Sequence, residues 1–500
     1  MVTARTFLRV AGGRSIRCAA MSESGATDPA DLGLLEAAAL LRSRALSAVE
    51  LLEACQARIA ARNGGAPTFD GALGAVNAWT RLYPELAAEL ARAADARLAT
   101  EGDAAPLTCG IPFALKDLFA VAGLGLTASS RVLEASVAAA DSAVWRRLRA
   151  HGAVLAGHTH THEFAAGGTT DQVANPWAPD RIAGGSSGGS AAALAARMVP
   201  AAVGTDTAGS LRIPAALSGV SSIKPTYGRI PDDGCIPLSP TLDHPGPMAR
   251  SVADASALLV ALATEPGLDP GPVVAALPLH PRDGARPLEG LRVAVTGRPE
   301  AADAEADVLE GLQAARTAAE RLGARVVELE AAPDLEPQDS MTILFHEVWP
   351  YHAAHVDRRD RYRPSIREFV DLAEELHDPA VYEAAQGRRA EMTARWHSWF
   401  ADHEVDLLLE ATVPLTAFSR GHGYDSGNLG GEGDPLIVLT STWNFTGFPV
   451  VALPAGLGSR SGLPVGVSLI GPPDSEPLLV QAAIDLQAHE LPPLDLDARR

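Results

Sequence analysis

Apolar residues early in the chain recur at helical spacing. Residues 32–62 follow this period. Within them Ser47-Ala48-Val49-Glu50 forms a capping box, with Leu51, Leu52, Cys55 and Ile59 on one helical face. A further Ala-rich helix is predicted over 85–100. Helices this rich in alanine make a weak core alone, so they are expected to pack on something larger. The texture changes over 110–260. Short apolar strands at 111–115 and 153–156 alternate with Gly/Ser-rich turns and helices, one near 143–150. A βαβ-like unit follows: strand 291–295, amphipathic helix 304–322, strand 325–329. Residues 265–288, rich in Pro and Gly, read as a surface connection. Residues 340–403 read as helical and carry Phe345, Trp349, Tyr351, Tyr362, Phe369, Trp396 and Trp399. Residues 420–434 hold six glycines and read as a mobile loop. Late strands are predicted at 450–453 and 464–470, and a closing helix at 476–487. No internal repeat is present. Strands alternating with helices predict an α/β sheet with helices on its faces.

Composition narrows the class. The chain has 500 residues, 47% hydrophobic and 20% charged, which excludes disorder, collagen and coiled coil as descriptions of the whole. The formal net charge of −20 and the lack of any Lys/Arg block argue against nucleic acid or an anionic membrane surface as direct partner. The densest basic run, Arg146-Arg147-Leu148-Arg149, reads as one helix face. Cys18, Cys55, Cys109 and Cys235 form no C-x-x-C pair and read as reduced thiols of a cytoplasmic protein. The longest apolar run, 191–203, is broken by Arg197 and Pro200 and is too short to span a membrane. Residues 1–25 read as a separate extension. Four arginines precede the first acidic residue, Glu23, and Met21 offers an alternative start. A mis-called start or a disordered tail is preferred there over an Arg-rich organellar transit peptide.

One compositional detail points to chemistry. Of 41 Lys plus Arg residues only Lys116 and Lys224 are lysine. Arginine stays charged at any working pH, whereas lysine can be brought to give up its proton. The alternative is chance, since two survivors out of 41 need not both have a role. Lys116 follows the apolar run Ile111-Pro112-Phe113-Ala114-Leu115, so it ends a buried strand, where desolvation disfavours the ammonium. To act as a base near neutrality its pKa must fall by about three units, roughly 4 kcal/mol.

Two serine-bearing segments complete the candidate set. Ala183-Gly184-Gly185-Ser186-Ser187-Gly188-Gly189-Ser190 precedes an Ala-rich helix predicted over 191–197. A phosphate-cradling loop fits it poorly, because the Gly-Lys-Ser/Thr ending of a P-loop and the dinucleotide spacing are both missing. The second segment is Gly204-Thr205-Asp206-Thr207-Ala208-Gly209-Ser210-Leu211-Arg212-Ile213-Pro214. A turn of such small residues can aim several backbone N–H groups at one point, as an oxyanion hole requires, with Ser210 placed to attack the carbonyl. Serine needs a base. No histidine is tied to either segment.

Residues 183–214 resemble the signature of the amidase signature family. The resemblance extends over roughly 32–490, through Ser-Ile-Lys-Pro-Thr-Tyr-Gly-Arg at 222–229, Leu-Asp-His-Pro-Gly-Pro at 242–247 and Asn-Phe-Thr-Gly at 444–447. It implies a mixed β-sheet core between layers of helices, in a single domain over 30–492. Residues 110–260 would carry the catalytic loop and 335–435 would shape the substrate site. It implies Ser210 as nucleophile and Ser186 as the bridging serine, preceded by a cis peptide. Lys116 would be the base, and the backbone N–H groups of Thr207, Ala208, Gly209 and Ser210 the oxyanion hole. Ala208 stands where many members have Gly, which narrows the pocket by a methyl. No cofactor and no metal are implied.

The resemblance implies hydrolysis of a small-molecule carboxamide through an acyl-enzyme on Ser210, with that amide and water as partners. A homo-oligomer is compatible with it. A second reading is the glutaminase component of a tRNA-dependent amidotransferase, its A subunit, which passes ammonia to a partner protein. The stretch 162–168 resembles stand-alone amidases more than it does that glutaminase. A third reading is a non-catalytic binding protein on the same fold. The remaining conspicuous residues have bland readings. His158, His160 and His162 would share a face of a strand, but they read as solvated or hydrogen-bonded loop histidines rather than metal ligands. Asp206 and Arg212 read as an ion pair pinning the turn, Lys224 as a scaffold contact, Ser187 and Ser190 as helix caps, and the aromatics of 345–399 as core.

Overall fold

Strand alternation organises the structure, a computed structural model that describes residues 28–72, 74–265, 268–298, 303–329, 332–333, 337–420 and 434–499, with the backbone of a short hairpin, Phe7–Val10 and Arg14–Arg17. The expectations for 1–25 and for the glycine-rich loop otherwise fall largely outside these residues. Eleven strands form one sheet. Its order is Arg325–Leu329, Arg292–Thr296, Leu407–Ala411, Pro464–Ile470, Val450–Leu457, Ser221–Lys224, His244–Ala249, Ala201–Asp206, Pro112–Lys116, Val154–Thr159, Trp79–Leu82. Pairing is parallel between Pro112–Lys116 and both its neighbours, and antiparallel through the centre. The sheet is therefore mixed.

The side-chain period of two divides each strand between two faces. Phe113, Leu115, Ala201 and Val203 join a large core with the helices Leu34–Arg42, Ala48–Arg62, Pro84–Glu101, Val252–Ala263 and Glu476–His489. The Ala-rich helices thus find their core against the sheet. Ala114 and Ala202 face the other way, into a cluster with Ala191, Ala192, Ala193 and Leu194 of the helix Gly188–Ala195. Small residues on both surfaces let this helix lie close to the sheet. The capping box at Ser47 forms as read: Ser47 Oγ accepts from Glu50 N–H at 3.1 Å, and Glu50 Oε2 accepts from Ser47 N–H at 2.9 Å.

Boundaries moved where packing outweighed local pattern. The helix predicted over 191–197 spans Gly188–Ala195, with Gly188 packed against the Thr170 side chain and Gly189 against the backbone of Ala78 and His160. The strand predicted over 153–156 continues to Thr159, so His158 lies in the sheet. Residues 340–403 are helical, as Pro337–His352, the 3₁₀ segment Ala353–Arg361, Pro364–Leu376 and Pro379–Asp402. Their aromatics divide between two core clusters, with Trp349 and Tyr351 only half-buried. Among the described residues no helix is long and apolar enough to cross a membrane.

Candidate active site

Lys116 is the last residue of its strand. Alternation puts it on the side of Ala114, facing the Gly/Ala-rich helix and away from Phe113 and Leu115. Its Nζ lies 2.8 Å from Ser186 Oγ and 2.8 Å from Thr205 Oγ1. The side chain has no solvent exposure. Burial lowers its pKa to about 7, against the opposing pull of Cys235, Asp243 and Asp206. A neutral amine there can accept a proton from one hydroxyl while donating to the other.

The Ser186 loop is held from several sides. The Gly185–Ser186 peptide is cis, in line with the resemblance. The Ser186 carbonyl accepts from His162 N–H at 3.0 Å and from the Thr170 hydroxyl at 3.1 Å. A Cβ on Gly185 would come within 1.9 Å of the Thr169 carbonyl oxygen, so only glycine fits. Ser187 N–H donates to the Ser210 carbonyl at 3.2 Å, joining the two serine segments. The capping expectation for the other serines is corrected. Ser187 Oγ makes no cap bond and donates instead to the Thr205 carbonyl at 3.2 Å. Ser190 Oγ lies 2.8 Å from Thr159 Oγ1 and donates to the Val203 carbonyl at 3.3 Å. Both hydroxyls are enclosed between helix and sheet, where strand groups are their nearest partners.

The Ser210 turn is built on a fully buried ion pair. Arg212 reaches Asp206 through Nε at 2.9 Å and through its terminal nitrogen at 2.8 Å. Burial raises the Asp206 pKa, but the Arg212 charge outweighs it and holds the carboxyl well below its usual range. Asp206 also accepts from the N–H of Gly209 at 2.8 Å, from that of Leu211 at 3.1 Å and from Asn444 Nδ2 at 2.9 Å. One of the four expected oxyanion donors, Gly209 N–H, is therefore already engaged by a carboxylate. The N–H groups of Thr207, Ala208 and Ser210 have no acceptor among the described residues. Ser210 is 6% exposed, while Ser186 and Lys116 are sealed. Beside the turn, Asp243 accepts from the Thr207 hydroxyl at 2.5 Å and from the N–H groups of Leu238 and Ser239. Burial pushes the Asp243 carboxyl up to about 7 despite these donors.

Of the two alternatives read for the histidines, His158 and His160 follow the hydrogen-bonded one; the correction is that all three are buried and that His158 lies on a strand instead of a loop. His158 Nε2 donates to the Phe119 carbonyl at 3.1 Å, so its Nδ1 accepts from the Tyr83 hydroxyl at 2.8 Å. His160 Nε2 donates to the Thr68 carbonyl at 3.0 Å, and its Nδ1 faces Ser129 and Gln172. Desolvation keeps His160 neutral, its pKa lowered to about 3. Among the described residues no cluster of His, Cys, Asp or Glu is arranged to hold a metal. Lys224 is buried and donates to the Pro225 carbonyl at 3.2 Å.

Sequence reasoning missed Thr205, Thr170, Asp243, Thr440 and Asn444. Thr205 had a signal, a hydroxyl directly after the apolar run 201–204. Asp243 and Asn444 lay in segments quoted for the family resemblance but had no local reason for a role.

Residues 68–480 match the profile of the family described as Amidase. The A subunit of glutamyl-tRNA(Gln) amidotransferase from Ralstonia nicotianae is 36% identical, covering 89% of this chain and 95% of the relative. The protein of the same name from Anaeromyxobacter dehalogenans is 35% identical over 93% of this chain and 97% of the relative. Among solved structures, the peptide amidase of Stenotrophomonas maltophilia superposes with a TM-score of 0.78 at 28% identity, covering 93% of this chain and 99% of that one. The 6-aminohexanoate cyclic dimer hydrolase superposes with a TM-score of 0.80 at 28% identity, covering 93% and 98%.

Proposed function

The chain belongs to the amidase family, and on that premise we propose that it hydrolyses a carboxamide C–N bond through an acyl-enzyme on Ser210. Neutral Lys116 draws the proton of Ser186, which draws that of Ser210, and the Ser210 oxygen attacks the amide carbon. The developing oxyanion is met by the N–H groups of Thr207, Ala208 and Ser210. The proton returns along the same relay to the leaving nitrogen, releasing ammonia or an amine. Water, deprotonated by the same route, then frees the carboxylate and restores Ser210. The observation that carries this reading is the 2.8 Å contact of a wholly buried Lys116 amine with Ser186 Oγ. Burial supports the uncharged state that a base needs.

Two readings of the amide follow. The relatives favour glutamine. Their shared name, at 35–36% identity over about nine-tenths of this chain, supports a glutaminase that passes ammonia to a partner protein more strongly than it supports a stand-alone amidase. The small-molecule reading draws on the stretch 162–168 and on the structural likeness to a peptide amidase and a cyclic dimer hydrolase. One experiment addresses both. Mass spectrometry of a fluorophosphonate adduct locates the nucleophile, and ammonia release is measured from glutamine and from a panel of small amides, with co-purifying proteins identified. Adduct on Ser210 with glutamine turnover and a stable partner supports the glutaminase reading. Adduct with turnover of small amides by the lone chain supports the amidase. No adduct on Ser210 removes the hydrolytic reading and leaves a binding protein.

A further inference from the structure

Gly209 sits at φ +136° within the Ser210 turn. With no side chain, glycine resists rotation of its flanking peptides less than any other residue. Yet the peptides on either side of the 208–209 bond carry the Ala208 and Ser210 N–H groups, which must hold one direction if they are to meet an oxyanion. Something outside the turn has to fix the plane between them.

That plane is held at both ends. Its N–H, on Gly209, donates to Asp206 Oδ1 at 2.8 Å. Its carbonyl, on Ala208, accepts from the hydroxyl of Thr440 at 2.5 Å, across 232 residues of chain. Thr440 is itself fixed. Its N–H donates to the Ile437 carbonyl at 3.0 Å, and its carbonyl accepts from Arg212 at 2.9 Å. It also fills the space beside Gly209: a Cβ there would lie 2.3 Å from Thr440 Oγ1. The residue is 2% exposed.

We infer that Thr440 is a positioning residue for the reaction, its hydroxyl orienting the 208–209 peptide so that the neighbouring N–H groups converge on the oxyanion. This rests on the acyl-enzyme reading above. The test needs no knowledge of the substrate. A fluorophosphonate phosphonylates a serine with loss of fluoride and places its phosphoryl oxygen where the oxyanion would form. Native chain, Thr440→Val and Thr440→Ser are compared by saturation kinetics of labelling across pH. In Thr440→Val the maximal labelling rate should fall about 10- to 100-fold. The half-saturating probe concentration and the pH midpoint should stay near native, because neither the probe's binding surface nor Lys116 is touched. Thr440→Ser, which keeps the hydroxyl, should label within about threefold of native. If the valine variant does not fold, Thr440→Ala against Thr440→Ser makes the same comparison. A Val or Ala variant labelled at the native rate, or a serine variant as slow as the one lacking the hydroxyl, overturns the role of Thr440. A native chain that is not labelled overturns the reading beneath it instead.

Discussion

Lys116 Nζ and Ser186 Oγ lie 2.8 Å apart, with neither side chain reaching solvent. The pair makes two demands on the protein, a chemical one and a thermodynamic one.

The chemical demand is a neutral amine. With a pKa near 7, Lys116 is mostly protonated below neutrality and mostly neutral above it. Turnover should therefore rise with pH through a midpoint near 7. Asp243 raises the Lys116 pKa, so Asp243→Asn should move that midpoint down without abolishing it. Lys116→Arg should lose about a thousandfold or more, since guanidinium accepts no proton at these pH values. Rate measurements from pH 5.5 to 9.5 on the three proteins check this, and substantial activity in the arginine variant would remove the base assignment.

The thermodynamic demand is the cost of burying an ammonium. A pKa lowered from 10.5 to about 7 corresponds to about 5 kcal/mol at most. The sign follows from proton counting. Between pH 7 and 10.5 the unfolded chain holds more protons than the folded one, so stability rises with pH in that window. The penalty is full below pH 7 and gone above 10.5. Lys116→Met should be more stable than native at pH 7, less the hydrogen bonds lost to Ser186 and Thr205, and its advantage should shrink toward pH 10. Urea unfolding at both pH values measures the gap. A gap that does not change with pH contradicts the burial argument.

The Asp206–Arg212 pair is fully buried. Removing one partner strands the other charge and typically costs about 3–5 kcal/mol. Arg212→Met should lose stability on that scale and lose activity with it, because Asp206 also holds the N–H groups of Gly209 and Leu211. Thermal unfolding beside the labelling rate reads both. A stable, active variant would show that the pair does not pin the turn.

Gly185→Ala should be among the most damaging single methyl additions in the chain. Its Cβ would meet the Thr169 carbonyl oxygen at 1.9 Å, a backbone contact that cannot rotate aside. Overpacking of this kind costs about 3 kcal/mol or more. Gly387→Ala, in the helix Pro379–Asp402 where a Cβ meets nothing within 4 Å, is the control for soluble expression and melting temperature. Equal behaviour of the two variants would count against the close approach.

Exhaustive chelation should leave turnover unchanged. Both ring nitrogens of His158 and of His160 already face hydrogen-bond partners, which leaves them poor metal ligands. A complete loss of activity that added metal restores would revive the metal reading of 158–163.

The sequence by itself determined the kinds of element and the short list of reactive residues. Helical and strand periods placed 325–329 and 464–470 at their observed bounds and the Ser47 box at its helix start, because these signals are local. An arginine-dominated composition singled out Lys116, and two Gly/Ser segments singled out Ser186 and Ser210. Only the tertiary structure decided how Lys116 meets Ser186 and how the two serine segments join through Ser187 N–H and the Ser210 carbonyl. Lys116 lies 70 residues from Ser186 and 89 from Thr205 in the chain, and its lowered pKa comes from the burial that the sheet and the helix Gly188–Ala195 impose together. The same packing turned Ser187 and Ser190 from helix caps into strand contacts, committed Gly209 N–H to Asp206, and brought Thr440 onto Ala208. Hydrogen bonds formed across hundreds of residues have no local period, and desolvation belongs to a closed interior that exists only after folding.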